Sequence, residues 1–259
     1  MSDADTLAEL AIRASAAAGD LLYERFRQPA EGVSSKTSPT DLVSDADRDS
    51  EALLLDIIRA ARPDDGVLAE EGESSESRSG FTWIVDPLDG TINFLFGIPQ
   101  WCVSVAVRDE EGLCVGVVHD PCRRETFRAT RGGGASLNGK PIHVTEREDL
   151  AGALVGTGFA YDSRARAEQA ARLPKLLPQV RDIRRAGSAA LDLAWLACGR
   201  LDGFFEAPME AWDKAAGVLL VMEAGGVVTE LRAPLDLSPG VIAANPSLHP
   251  LLERVVLGH

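Results

Sequence analysis

The chain has 259 residues, of which 45% are hydrophobic, 25% charged and 5% aromatic. Lys and Arg total 26 against 40 Asp and Glu, so the formal net charge is -14 and the pI is about 4.7. The length and apolar content allow a sizeable core, and the negative charge disfavours nucleic-acid and membrane partners. The same acidity offers many hard oxygen ligands for divalent cations.

Three features bear on the compartment. The N-terminus has no basic segment followed by an apolar run, so no secretory signal is visible. The four cysteines contain no Cys-x-x-Cys pair and are too sparse for a disulfide framework. The most apolar segment, 215–228, is interrupted by Glu223 and two glycines and does not suit a bilayer. We therefore predict a reduced, cytoplasmic protein.

The first half of the chain begins with helices and continues with strands. Small and apolar side chains recur at helical spacing over 3–27, and a second helix around 53–58 ends at Pro63. Short runs of Val, Ile, Trp and Phe then predict strands at 82–85, 102–107, 114–119 and 126–129. Asn138-Gly139 is typical of a hairpin turn.

After about residue 150 the pattern alternates between helices and strands. Strands are predicted at 153–156, 203–206, 226–230 and 240–244. Helices are predicted near 164–177, 187–199, 212–224 and 246–257. Runs of strands followed by interleaved helices indicate stacked α and β layers. No linker stands out, so 1–259 is interpreted as a single catalytic domain with two lobes, roughly 1–150 and 151–259.

Two glycine clusters stand out: 132–134, which lies between strand-like segments, and 156–161. The second lacks the third glycine of a dinucleotide fingerprint, and the chain has no P-loop Gly-Lys-Ser/Thr. We interpret both clusters as turns.

The most informative segment runs from Trp83 to Phe94, where an apolar strand leads directly into Asp86-Pro87-Leu88-Asp89-Gly90-Thr91. Two carboxylates at the end of a buried strand repel each other unless a cation lies between them. The N–H groups of Gly90 and Thr91, at a predicted helix start, suit a phosphate. Neighbouring binding sites for a cation and a phosphate are what metal-assisted hydrolysis of a phosphate ester requires. The alternative interpretation is a turn that only caps a helix.

Three further acidic clusters can complete such a site. Glu70-Glu71 follows a short apolar run and therefore lies at a strand end, and Asp213 starts an apolar helix. Alone, these are most simply a solvated turn and an acid that favours the helix dipole. The third cluster is Asp41, Asp45, Asp47 and Asp49. It has part of the EF-hand spacing but lacks the required glycine and glutamate, so we reject a calcium loop.

Together these motifs resemble the inositol monophosphatase family, within the larger group of lithium-sensitive, magnesium-dependent phosphatases. The matching segments follow the family's order along nearly the whole chain, at 41–47, 70–71, 86–91, 187–194, 199–206 and 212–217. The resemblance implies an α+β fold, the layered α-β-α-β-α sandwich of the inositol monophosphatase and fructose-1,6-bisphosphatase type. It also implies a homodimer.

The resemblance implies two or three magnesium ions in each active site. Glu70, Asp86 and the carbonyl of Leu88 would hold one ion, which activates the attacking water. Asp86, Asp89 and Asp213 would hold a second, which stabilises the leaving oxygen. A third, weaker ion would lie near Glu70.

The remaining implied roles concern the water and the substrate. Thr91, hydrogen-bonded to Asp47, would orient or deprotonate the water, and the N–H groups of Gly90 and Thr91 would bind the phosphate. Ala189 and Glu206 would contact the alcohol. The implied substrate contacts also include Asp89, Asp213 and, from a polar loop that closes over the site, Lys36.

The implied activity is hydrolysis of a small phosphorylated alcohol, with myo-inositol 1-phosphate as the first choice. Fructose-1,6-bisphosphate, histidinol phosphate and 3′-phosphoadenosine 5′-phosphate are alternatives from the same superfamily. An alternative of another class is a regulatory or scaffolding protein that has kept the fold and lost catalysis. The presence of every matching metal ligand favours the enzyme.

Overall fold

The structure is a computed structural model that describes residues 3–29, 31–35, 42–72 and 74–258. The helices are α1 (Asp3–Arg25), α2 (Asp45–Ala61), α3 (Thr91–Leu95), α4 (Ser163–Ala170), α5 (Leu173–Leu176), α6 (Ala189–Ala197), α7 (Ala211–Glu223) and α8 (His249–Leu257). The first strands are β1 (Ser34–Ser35), β2 (Leu42–Val43), β3 (Gly66–Ala69), β4 (Ser74–Ser75), β5 (Thr82–Asp89), β6 (Cys102–Asp109), β7 (Gly112–Asp120) and β8 (Glu125–Thr130). The others are β9 (Gly134–Leu137), β10 (Lys140–Pro141), β11 (Leu154–Thr157), β12 (Asp182–Arg184), β13 (Gly203–Glu206), β14 (Val227–Leu231) and β15 (Gly240–Ala244).

Within the described residues, the strands form two sheets and a separate β1–β2 pair. The larger sheet has the order β10-β9-β8-β7-β6-β5-β3-β4 and is antiparallel except between β3 and β5. The smaller sheet has the order β12-β11-β13-β15-β14, with parallel pairing on both sides of β11. Strands β5 and β11 therefore each end beside a parallel neighbour.

The helices separate and cover these sheets in five layers. Helices α1 and α2 pack on one face of the larger sheet, α6 and α7 lie between the two sheets, and α8 covers the outer face of the smaller sheet. Each boundary is filled by a group of buried apolar side chains. The predicted α-β-α-β-α sandwich is confirmed. Among the described helices, none has the length and apolar content needed to cross a membrane.

Close backbone packing fixes the position of α7 between the sheets. Gly116 of β7 lies under this helix, and a Cβ at that position would be 2.8 Å from the carbonyl oxygen of Ala216. Only a residue without a side chain allows the helix to lie so close to the strand. This contact helps to position α7, whose first turn carries Asp213, on the larger sheet.

Most of the predicted elements are present, and the exceptions have local causes. Asn138 and Gly139 have φ values of 48° and 77°, as the predicted hairpin turn between β9 and β10 requires. The predicted helix over 164–177 is wrong in length, because α4 ends at Ala170 and Pro174 lies in the first turn of the separate helix α5. Strand β12 was not predicted, since Asp-Ile-Arg has no apolar run.

The two glycine clusters have different outcomes. Gly132 and Gly133 lie in the turn between β8 and β9, as predicted, and Gly134 is the first residue of β9. The interpretation of 156–161 as a turn is wrong for Gly156 and Thr157, which are the last residues of β11, whereas residues 158–161 lie outside helices and strands. Gly158 follows directly after the strand and lines the cavity described next.

Candidate active site

An irregularity at the end of β5 brings Asp86 and Asp89 to the same cavity. Residues three apart in a regular strand point to opposite faces, but the pairing of β5 with β6 shifts in register between these two aspartates. Pro87 lies within the shift, where its missing N–H removes one ladder bond. Ser50 of α2 donates a hydrogen bond of 2.9 Å to the Pro87 carbonyl and holds the irregular segment in place. Both carboxylates consequently line one cavity.

The cavity has a volume of about 790 Å³ and lies between the end of β5 and the starts of α6 and α7. The predicted site residues that line it are Glu70, Asp86, Leu88, Asp89, Gly90, Thr91, Ala189, Glu206 and Asp213. Asp47 is buried behind it, in contact with Thr91. Lys36 lies outside the described residues. Segments far apart in sequence are therefore brought to one place.

Asp89 is anchored by the start of α6. Its Oδ2 accepts hydrogen bonds from the Ser188 hydroxyl at 2.6 Å and from the Ala190 N–H at 2.7 Å, and its Oδ1 accepts from the Ala189 N–H at 3.3 Å. Burial raises the pKa of Asp89 to about 6, although the hydrogen bonds from Ser188 and Ala190 oppose this shift. The helix N-terminus thus compensates part of the cost of a carboxylate in this place.

Asp86 and Asp213 are strongly affected by the other carboxylates. Burial, reinforced by the negative charges of Glu70, Asp89 and Asp213, raises the pKa of Asp86 well above its ordinary value. Asp86 is hydrogen-bonded to Glu70 and also accepts from the Leu88 N–H at 3.0 Å. Burial and the charges of Glu70 and Asp89 likewise raise the pKa of Asp213, against the opposing hydrogen bond from the Glu210 N–H. The cavity therefore favours positive charge or bound protons.

The donor set fits a hard divalent cation. Carboxylate and carbonyl oxygens are the ligands that magnesium and calcium prefer, and magnesium usually keeps several waters and takes only one or two carboxylates. In the described part of the chain, no three histidine, cysteine or acidic side chains are already gathered around one point. Ionised carboxylates that line one cavity repel one another, and this repulsion is relieved when a cation binds between them.

Thr91 and Asp47 form a second, polar part of the site. The Thr91 Oγ1 lies 2.9 Å from Asp47 Oδ1 and 3.0 Å from the carbonyl oxygen of Leu88. Asp47 is held by α2, because its Oδ2 accepts from the N–H and the hydroxyl of Ser44 at 2.9 and 2.6 Å. The helix start therefore orients Asp47, and Asp47 in turn fixes the hydroxyl of Thr91, a residue that lines the cavity.

Gly90 is required at the start of α3. Its φ is 98°, and a Cβ there would lie 2.8 Å from the Gln100 carbonyl oxygen. The next residue, Thr91, is the first of α3, where backbone N–H groups have no helical partners. Helix α3 has only five residues, so the individual N–H groups matter here more than a helix dipole.

The far side of the cavity carries Glu206 at the end of β13. Burial raises the pKa of Glu206 to about 7, although the positive charge of Arg185 opposes the shift. Arg185 lines the same cavity and was missed from the sequence, because it lies in a polar segment without a recognisable pattern. Gly158 was also missed, since it was assigned to a turn.

Comparison with known proteins agrees with this geometry. The sequence profile described as the inositol monophosphatase family matches residues 3–257. Nus factor SuhB of Escherichia coli K12 is 41% identical over 241 residues, covering 92% of this chain and 90% of that protein. Inositol-1-monophosphatase of Synechocystis is 41% identical over 261 aligned positions, covering 98% of this chain and 90% of that protein.

A solved structure, the extragenic suppressor protein suhB of Bartonella henselae, superposes with a TM-score of 0.91 at 37% identity, covering 97% of this chain and 98% of that chain. The family is metal-dependent and acts on small phosphorylated substrates. The order of the layers, the carboxylate-lined cavity and the profile match along the whole described chain lead to one conclusion. The chain belongs to the inositol monophosphatase family.

Proposed function

We propose that the chain is a magnesium-dependent phosphomonoesterase that hydrolyses myo-inositol 1-phosphate, or a related inositol monophosphate, to inositol and phosphate. The observation that carries the proposal is the convergence of Glu70, Asp86, Asp89 and Asp213 on one cavity. The raised pKa values of the three aspartates are those of groups that gain from a bound cation. The Synechocystis relative, named an inositol-1-monophosphatase, supports the choice of substrate.

Magnesium would be held by Glu70, Asp86, the Leu88 carbonyl, Asp89 and Asp213, in two or three ions. When bound, such ions supply an ionised water as nucleophile and neutralise charge on the phosphoryl and leaving oxygens. The chain's own contribution is to hold the ligands in place. Ser188 and the start of α6 orient Asp89, and the Glu210 N–H orients Asp213.

The proton of the attacking water has a route within the protein. The Thr91 hydroxyl can accept a hydrogen bond from water while it donates to Asp47, which lies 2.9 Å away. Asp47 is buried and fixed by Ser44, so the pair has one preferred orientation. The N–H groups of Gly90 and Thr91 would bind the phosphate oxygens beside it. Ala189 and Glu206 would contact the alcohol, with Lys36 closing over the site.

Replacing Thr91 with valine tests this pair. Valine keeps the shape but removes the hydroxyl, so we expect kcat to fall about 10²- to 10⁴-fold with little change in KM, the range of a lost acid–base group. Thr91→Ser keeps the hydroxyl and serves as the matched control, with kcat close to that of the unchanged protein. Steady-state phosphate release from inositol 1-phosphate measures both constants. A Thr91→Val enzyme with an unchanged kcat would contradict the assignment.

The experiment that tests the function is release of inorganic phosphate, with and without magnesium, from four substrates. These are inositol 1-phosphate, fructose-1,6-bisphosphate, histidinol phosphate and 3′-phosphoadenosine 5′-phosphate. We expect magnesium-dependent release that is fastest from inositol 1-phosphate. Faster release from another substrate would keep the mechanism and change the alcohol. No release from any of them, with the protein folded and magnesium present, would contradict catalysis.

Several broader features belong to the same proposal. We place most of the metal and phosphate groups in a lobe of roughly 1–150, joined by Asp213 from the second lobe, and the alcohol contacts in a lobe of roughly 151–259. We propose a cytoplasmic homodimer, sensitive to lithium, without nucleic-acid or membrane partners. Light scattering after size-exclusion chromatography measures the oligomeric state, and a lithium titration of phosphate release measures the inhibition.

A second candidate function comes from the Escherichia coli relative, which is named a Nus factor. A regulatory function of that kind can coexist with catalysis if it uses the outer surface rather than the cavity. An Asp86→Asn chain separates the two. It should lose phosphate release and still bind its protein partners if the regulatory function is present.

A further inference from the structure

The alcohol side of the cavity contains two glycines whose purpose the proposed function leaves unexplained. Gly156 lies in β11 and Gly158 directly follows the last residue of that strand. A Cβ at each position would meet Phe204 and Glu206, which are two residues apart in β13, so the two glycines face the same side of the smaller sheet. Neither has a positive φ, so the backbone does not demand glycine at these positions. The reason for glycine at these positions must therefore lie in what occupies the space that a side chain would need.

At Gly158 that space is filled by the carboxylate of Glu206. A Cβ built on Gly158 would overlap the carboxyl carbon and both oxygens of this side chain. The two residues are neighbours because β11 and β13 run parallel, with Thr157 opposite Phe205. The Glu206 carboxylate thus lies against the backbone at 158, and both residues line the cavity.

At Gly156 the surroundings differ. A Cβ there would lie 3.0 Å from a methyl group of Leu201, 3.1 Å from the Phe204 ring and 3.6 Å from a carboxylate oxygen of Asp192. These are contacts with the apolar layer around α6, and Gly156 does not line the cavity. The chain therefore provides two glycines on one face, of which only Gly158 contacts a group of the candidate active site.

The placement of Glu206 decides what kind of alcohol fits. Its carboxylate accepts hydrogen bonds, and Arg185, which lines the same cavity, donates them. A hydroxyl group does both, so an alcohol with several hydroxyls matches this pair and an alcohol without them does not. Any side chain at 158 would overlap the Glu206 carboxylate and displace it from this position beside the cavity.

We infer that Gly158 is a specificity-determining residue, which selects a polyhydroxylated alcohol by seating Glu206 against the strand. The inference rests on the proposed function, because it concerns the alcohol that leaves in the same reaction. It assigns a role to a residue outside the metal and phosphate groups.

The test compares inositol 1-phosphate with phenyl phosphate, whose alcohol has no further hydroxyls, in the full chain with magnesium. In Gly158→Ala, we expect the ratio of kcat/KM for inositol 1-phosphate to that for phenyl phosphate to fall at least about tenfold, because small misplacements of a positioning group have effects of this size. Gly156→Ala is the matched control, which should lower the melting temperature through crowding and leave the ratio unchanged. An unchanged ratio in Gly158→Ala would overturn the inference.

A thermal double-mutant cycle tests the contact between Gly158 and the Glu206 carboxylate directly and needs no substrate. Gly158→Ala should change the melting temperature of the unchanged protein, because the Glu206 carboxylate must move, and leave that of a Glu206→Ala protein unchanged. If the alanine at 158 shifts both melting temperatures equally, Glu206 is not what fills the space. This result is independent of catalysis. A chain that hydrolyses none of the substrates would refute the proposed function, and the melting temperatures would still test the contact between Gly158 and Glu206.

Discussion

Replacing Asp86 with asparagine is expected to abolish magnesium-dependent phosphate release and, at the same time, to raise the melting temperature of the metal-free protein. Asp86 lies among Glu70, Asp89 and Asp213, and its pKa is raised by burial and by their charges. We expect kcat to fall by about 10³-fold or more, since a bound metal contributes several kcal/mol of transition-state stabilisation. Asparagine cannot replace the negative ligand.

The gain in stability has a separate cause. In the metal-free protein at pH 7.5, Asp86 must either take up a proton or stay ionised among the other carboxylates, and both options cost free energy that the unfolded chain does not incur. Asparagine removes this cost and can still accept the hydrogen bond from the Leu88 N–H. The free energy of unfolding should rise on the order of 1 to 3 kcal/mol, as it does when unfavourably buried charges are replaced.

Asp65 is the matched control for this experiment. It is also buried, but its carboxylate accepts hydrogen bonds from Arg62, Ser79 and Trp83. Burial alone would raise the pKa of Asp65, but these hydrogen bonds lower it below the ordinary value. Asp65→Asn should therefore lower the melting temperature and leave kcat unchanged. An Asp86→Asn protein that is less stable without metal, or that retains substantial activity, would contradict the assignment of Asp86.

The sequence predicts the layers and the order of the motifs well because both depend on local patterns. The apolar runs of β5, β6 and β7 and the helical spacing of α1 are visible in any short window. The glycine and proline residues around Asp86 and Asp89 mark the point where β5 becomes irregular. The resemblance then assigns acids from distant segments to one site, and the structure places those that it describes around one cavity.

The other details depend on three-dimensional neighbours. The register shift between Asp86 and Asp89 exists only in the pairing of β5 with β6. The anchoring of Asp89 by Ser188 and Ala190 joins residues about a hundred positions apart. The absence of space for a side chain at 158 is due to Glu206 in the adjacent strand. No pattern within one segment carries these relations, which explains why Gly158 was assigned to a turn.

The melting temperature of the metal-free protein is expected to fall as the pH rises from about 4 to 7. In the folded protein the pKa of Asp89 is about 6 and that of Glu206 about 7, above their ordinary values of 3.8 and 4.5. Between these limits the folded chain binds more protons than the unfolded chain, so the free energy of unfolding decreases with pH. The stability contributed by these two groups is complete below pH 4 and is lost as the pH passes through the folded pKa values.

Magnesium should reverse most of this loss. A cation beside Asp89 takes the place of the bound proton, so stability at neutral pH no longer depends on protonation of that group. At 100 times its measured Kd, magnesium should add about 2.7 kcal/mol to the free energy of unfolding. For a chain of this size that corresponds to a rise of about 5 to 10 °C in the melting temperature. Thermal melts at several pH values, with NaCl at matched ionic strength as the control, measure both effects.

Two variants separate the contribution of Glu206 to the pH dependence of the melting temperature from the effect of the metal ligands. Glu206 is assigned to the alcohol and not to the metal, so its share of the pH dependence should persist in magnesium and disappear in Glu206→Gln. Asp86→Asn should instead lose most of the magnesium response, because one of the shared ligands is gone. A melting temperature that rises with pH in the metal-free protein, or that does not respond to magnesium at pH 7, would show that repulsion among these carboxylates does not govern the site. The carboxylates would then have to be explained as structural acids, and the magnesium-dependent mechanism would lose its physical basis.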